Sequence, residues 1–178
     1  MNVPAIPTTY AGVNFRSRLE AKWAAMFDLL GWPWEYEPED LHMYIPDFVL
    51  YFDRPLLVEV KPVSSVEDFA EMAPERAKIQ QSGWDGEAII VGSRIWDRPC
   101  GDGFYQLGWI WSPRDGWDDA FPFRCIDCGN YSFASASYSW QCRIKGCYEG
   151  NGHIDRLTDD FQSLFRQAGN MVQWRPAA

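Results

Sequence analysis

Hydrophobic positions along the first ninety residues switch between two periods. Leu19, Trp23, Met26, Phe27 and Leu30 recur at the 3.6-residue spacing of a helix, with Asn14 placed as its N-cap and Gly31 and Pro33 as its stop. Trp34 to Glu37 alternates as a strand does. Ile45 to Phe52 and Leu56 to Lys61 are rich in aromatic and β-branched residues, and Asp53-Arg54-Pro55 between them predicts a tight hairpin. Ser64-x-x-Glu67 has the form of a capping box and opens a second helix, with Phe69, Met72, Ala73 and Ile79 on one side. Pro74 either interrupts that helix or restarts it as a first-turn residue. Glu87 to Val91 reads as a buried strand. Helix, three strands, helix, strand is the order of an α/β (α+β) domain with a mixed sheet.

Further along, Arg98-Pro99-Cys100-Gly101-Asp102-Gly103 is the most heavily punctuated stretch. It divides the chain into a core over 1–98, connector strands and loops over 99–123, and a C-terminal segment over 124–178. In that last segment Ile154, Leu157, Phe161, Leu164, Phe165 and Ala168 predict an amphipathic helix used in core packing and ending at Gly169-Asn170.

The hairpin carries the first candidate chemistry. If its turn centres on Asp53, residues whose numbers sum to 106 lie opposite each other, so Asp47 faces Glu59 with Lys61 beside them. Two carboxylates opposed in otherwise apolar strands repel. A divalent cation removes that cost, and hard oxygen ligands suit Mg²⁺ or Mn²⁺. A solvent-facing polar edge, with Glu59 and Lys61 as a weak surface pair, fits the same spacing.

The flanking residues add a family. Ile45-Pro46-Asp47-Phe48 followed by Val58-Glu59-Val60-Lys61 resembles the PD-(D/E)XK nuclease signature, its acids separated by 11 residues on adjacent strands. Glu20, within Phe15 to Trp23, stands where members of that superfamily often carry an extra acid. The resemblance covers roughly residues 14–92, and the overall look is similar to small nuclease-like proteins of phages and other mobile elements. It implies a restriction-endonuclease-like αβββαβ core and Mg²⁺-dependent (or Mn²⁺-dependent) hydrolysis of DNA phosphodiester bonds. By that resemblance Asp47 and Glu59 bind the metal, with the Val60 carbonyl as a third ligand. Lys61 positions or activates the water, and Glu20 orients a metal-bound water or touches a second metal. Lys78 and Gln81 are further polar candidates, although solvation explains them as well.

The second candidate is a metal site of another kind. Cys125-x₂-Cys128 and Cys142-x₄-Cys147, 13 residues apart, have the pairing of a zinc ribbon, with Gly129 and Gly146 suited to knuckle turns. Four thiolates close a tetrahedral Zn²⁺ site, which makes the zinc structural. His153 is the alternative fourth ligand, and Cys100 is read as an unliganded thiol. The stretch from Asn130 to Gln141 is expected to form a hairpin. Arg124, Arg143 and Lys145, with Tyr131, Phe133, Tyr138 and Trp140 as base-stacking candidates, allow the module to touch nucleic acid. Structural support is the simpler role.

Charge narrows the partners. The chain of 178 residues has a net charge of −9, which argues against coating nucleic acid by bulk attraction. Residues 1–98 carry nine basic against sixteen acidic residues. DNA binding therefore has to be local and metal-assisted, or rely on a protein partner that delivers the DNA. The acidity also keeps open two non-enzymatic classes on the same fold: a nucleic-acid-binding module without catalysis, and a phage-type interaction or inhibitor protein that mimics DNA. No apolar run reaches the roughly 18 residues of a membrane span, and the N-terminus has no signal-peptide pattern. The expected location is the cytoplasm of a bacterial or phage-infected cell.

Overall fold

The computed structural model describes residues 5–38, 40–41, 44–97, 105–137, 141–147, 154–155 and 160–173. The punctuated stretch from Arg98 to Gly103, with Cys100, lies outside them, as do Tyr138, Trp140, His153 and Leu157. The chain opens with a hairpin that the alternation pattern does not reveal, β1 (Thr8–Tyr10) and β2 (Val13–Phe15). Ala11 and Gly12 both have positive φ in its two-residue turn, the conformation that matches strand twist in tight hairpins.

Helix α1 (Arg18–Leu30) follows. Its N-cap is Ser17, not the expected Asn14, which is taken up by β2. The Ser17 hydroxyl accepts from the Glu20 N–H at 3.1 Å and donates to Glu20 Oε1 at 2.9 Å, so Ser17 caps the helix while Glu20 reaches back to the cap side chain. Gly31, left-handed at φ 70°, ends the helix as expected.

Three strands come next: β3 (Trp34–Tyr36), β4 (Phe48–Tyr51) and β5 (Pro55–Val60). Two short helices, α2 (Val66–Ala70) and α3 (Ala73–Gln81), carry the chain to β6 (Ala88–Asp97). The cap of α2 is one residue later than its pattern suggests: Ser65 accepts from Asp68, and Asp68 in turn accepts from the Ser64 N–H and hydroxyl. Pro74 restarts the chain as the first-turn residue of α3. From α1 to β6 the order read from periodicity is the observed one, with the second helix split in two.

Beyond β6 the sheet keeps growing. β7 (Tyr105–Ser112), β8 (Gly116–Cys125), β9 (Tyr131–Ser135) and β10 (Ile154–Asp155) join it, giving eight strands in the order β10-β8-β7-β6-β5-β4-β3, with β9 also paired to β8. The hairpin expected within 130–141 is instead β8 with β9, its turn formed by the first cysteine pair. Among the described strands only β5 and β6 are parallel. A parallel pair needs a crossover, which α2 and α3 provide.

Strand alternation gives the sheet two apolar faces. Phe48, Leu50, Val58, Ile89 and Val91 pack toward α1 and the C-terminal helix α4 (Asp160–Met171), while Val49, Leu57, Ile90, Trp109 and Trp111 pack with Phe69 and Ile79 of α2 and α3. Ile154, expected in this helix, lies in β10 instead, and α4 runs past Gly169 to Met171. Gly169 does not stop it: a Cβ there would lie 3.2 Å from Lys22 Cε, so the glycine allows close approach to α1. The Lys22 ammonium lies 3.4 Å from the centre of the Phe165 ring, a cation–π contact that joins the two helices. Among the described residues, no helix is long and apolar enough to cross a membrane.

Candidate active site and metal centre

The β4–β5 hairpin adopts the register that its turn predicts. Phe48 pairs with Val58, Val49 with Leu57, Leu50 with Leu56 and Tyr51 with Pro55. Asp47 precedes β4 by one residue and stands across from Glu59, and both side chains are buried. Leu57 and Lys61 send their N–H groups to carbonyls of Glu87 and Val91 on the β6 side. Val58 and Val60 therefore turn theirs toward β4. The paired ladder ends at Phe48 and Val58, and beyond it the Val60 N–H binds the Asp47 side chain, at Oδ2, 2.7 Å away.

Each acid has defined partners. Asp47 Oδ1 accepts from Arg16 Nη2 at 2.6 Å. Glu59 accepts from the Tyr44 hydroxyl at 2.8 Å and pairs with Lys61 Nζ at 2.5 Å. Glu20 Oε2 accepts from the Tyr36 hydroxyl at 2.6 Å and from the Arg16 N–H at 3.1 Å. Glu20 is thus occupied with its helix cap and Tyr36, although its charge still bears on Asp47. Lys78 and Gln81 are both exposed on α3.

Burial, reinforced by the charge of Glu59, pushes the Asp47 carboxyl up to about 7. Burial alone would lower the Lys61 pKa, but the neighbouring Glu59 outweighs it and raises it, so Lys61 is held as a cation. Burial and Glu59 together push the Tyr44 phenol far above its ordinary value, which keeps it a donor. A folded-state pKa above the unfolded one means that folded Asp47 holds a proton between about pH 4 and 7 that the unfolded chain has released. Stability then falls as pH rises through that window. Without added divalent cation, wild type should lose melting temperature relative to Asp47→Asn between pH 5 and 8, and parallel curves would refute the assignment.

Arg16, Tyr36 and Tyr44 were not marked by any spacing. Arg16 sits just ahead of the α1 cap and Tyr44 just ahead of β4, and only the fold brings them to the acids. The Ser17-x-x-Glu20 spacing is the local signal that bears on Arg16: Glu20 accepts from the Arg16 N–H and so fixes where that arginine emerges.

The four cysteines converge at the other end of the hairpin. Among the described residues they are the one set of three or more potential ligands whose donor atoms all lie within 4.8 Å of one another; Glu20, Asp47 and Glu59 do not form such a set. Cys125 and Cys147 sulfurs are 3.7 Å apart, and those of Cys128 and Cys142 are 3.8 Å apart. Zn–S bonds of about 2.3 Å in a tetrahedron give S···S edges of about 3.8 Å, so the cluster is compatible with a structural zinc site. Gly129 and Gly146, both at positive φ, shape the knuckles. Burial pushes the Cys147 thiol up to about 11, so its thiolate form needs a cation beside it.

Arg143, between the last two cysteines, anchors the module. Its guanidinium grips both oxygens of Glu87 and the Phe133 carbonyl, its N–H donates to Ser132 Oγ, and its carbonyl accepts from the Asp53 N–H at the hairpin turn. Of the four base-stacking candidates, only Phe133 is withdrawn from solvent; Tyr131 is half-buried, and Tyr138 and Trp140 lie outside the described residues. Phe133 is buried against Trp32 and Phe52, and Tyr131 packs edge-on to Phe161. The six residue steps from Asp47 to Asp53 span about 20 Å at strand rise, which separates the cysteines from the carboxylates. No family model matches the chain, and no curated protein or solved structure matches it either.

Proposed function

We propose that this protein is a metal-dependent nuclease of the PD-(D/E)XK type, hydrolysing DNA phosphodiester bonds with Mg²⁺ or Mn²⁺, on a restriction-endonuclease-like core braced by a Cys₄ zinc module. The observation that carries the reading is the burial of Asp47 directly across from Glu59, with Lys61 next along the same strand. A fold built only for stability gains nothing from two adjacent buried acids, where burial and then the neighbour's charge raise the pKa of one of them.

The residues fit a hard cation. Asp47, Glu59 and the Val60 carbonyl offer oxygen alone. Bound there, Mg²⁺ would supply Lewis acidity toward a phosphate oxygen and a water of lowered pKa. The chain's own groups prepare that chemistry. The Val60 N–H fixes one oxygen of Asp47, Tyr44 fixes one of Glu59, and Lys61 brings a permanent positive charge to hold the attacking water or face the phosphate. Glu20 keeps the start of α1, and with it Arg16, against the site.

The acidic body fits local, salt-sensitive contact with DNA, or delivery of DNA by a partner protein. The test is cleavage of supercoiled, linear and branched DNA at low salt, with Mg²⁺, Mn²⁺ or no divalent cation. Products that require the cation are expected. Binding without products on every form would leave the non-catalytic module, and retention on a protein partner but not on DNA would leave the inhibitor.

A further inference from the structure

Arg16 has a position that the proposed chemistry does not yet use. Its Nη2 lies 2.6 Å from Asp47 Oδ1 and its Nε lies 3.0 Å from Glu37, while Glu20 is 4.0 Å away. Three acids surround one guanidinium. The Arg16 side chain is 60% exposed, whereas that of Asp47 is 5% exposed, so the guanidinium covers the carboxylate from the solvent side. The other Asp47 oxygen is committed to the Val60 N–H. Oδ1 is therefore the oxygen that an incoming cation has to take, and Arg16 is on it.

We propose that Arg16 is a place-holder for the divalent cation that becomes a phosphate-gripping residue once displaced, so that metal and DNA bind cooperatively. This rests on the nuclease reading above. Two like charges cannot share Oδ1 cheaply, and the metal forces Arg16 off. Glu37 keeps hold of Nε, which leaves the freed guanidinium tethered at the mouth of the site. A planar fork with several N–H donors suits a phosphate better than any other side chain does. The place-holder also offsets the negative charge that the fold buries when no metal is present.

The experiment is Mn²⁺ titration of the zinc-loaded, DNA-free protein, with free Mn²⁺ read by electron paramagnetic resonance. Arg16→Gln should bind Mn²⁺ about fivefold more tightly than wild type, the scale of a partly exposed ion pair. Arg16→Lys, which keeps the charge on a single-point head, should fall between them. Duplex DNA binding followed by fluorescence anisotropy gives the second half. Adding Ca²⁺ should tighten wild-type binding and tighten Arg16→Gln much less. Equal or weaker Mn²⁺ binding by Arg16→Gln, in a protein with a wild-type melting transition, overturns the place-holder. Undiminished Mn²⁺ binding by Asp47→Asn would instead overturn the reading of the site itself, which makes the two failures distinguishable.

Discussion

Asp47→Asn should abolish cation-dependent cleavage while leaving the protein folded. The substitution keeps the shape of the side chain and its acceptor oxygen, so the bond from the Val60 N–H survives. It removes the charge that a hard cation needs. Changes one shell further out at metal sites already cost about 10- to 100-fold, so the loss here should be at least about a hundredfold. On the nuclease reading it should appear in kcat, because Asp47 would act through the metal and not on the body of the DNA. Melting temperature at pH 8 should rise or hold, since the variant no longer carries a buried charge whose pKa the fold pushes up. Lys61→Met should also lose activity but keep Mn²⁺ binding. Cleavage by Asp47→Asn at the wild-type rate would end the catalytic assignment.

The second large effect is on the zinc module. Metal analysis should find about one zinc per chain, and Cys128→Ser should lose it. Structural zinc contributes about 10–16 kcal/mol of apparent binding energy in small zinc domains. If about 4 kcal/mol of that supports this fold, the melting temperature falls by roughly 10 °C for a chain of this size. The coupling runs through Arg143, whose backbone and guanidinium join the second knuckle to β9, to the start of β6 and to the hairpin turn. A zinc-free protein with unchanged stability would make the four cysteines merely neighbours.

The two sites were legible to different degrees. The hairpin register could be read because side-chain alternation and turn position leave little freedom, and 48 pairs with 58 as the arithmetic requires. The cysteine set could be read because metal ligands impose their own spacing. The helix start could not, since Asn14 and Ser17 are both good caps and only the β1–β2 hairpin decides between them. Gly169 looked like a stop because a glycine in isolation says nothing of the lysine lying across it. Arg16, Tyr36 and Tyr44 stayed invisible for the same reason. Their roles are long-range contacts between elements that no local pattern records.

The bond from the Asp53 N–H to the Arg143 carbonyl changes how an inhibition experiment on this molecule has to be planned. One hairpin hangs between a sulfur cluster at its turn and oxygen donors at its open end. If the cysteines hold zinc and the carboxylates magnesium, as proposed, EDTA would strip both and give a single loss of activity with two origins. A thiophilic chelator that ignores magnesium would slacken the turn alone, and cleavage would drift downward over minutes as molecules loosen one by one. Removing magnesium and restoring it would act at once and reversibly. Time course, more than extent of inhibition, separates the scaffold's metal from the reaction's.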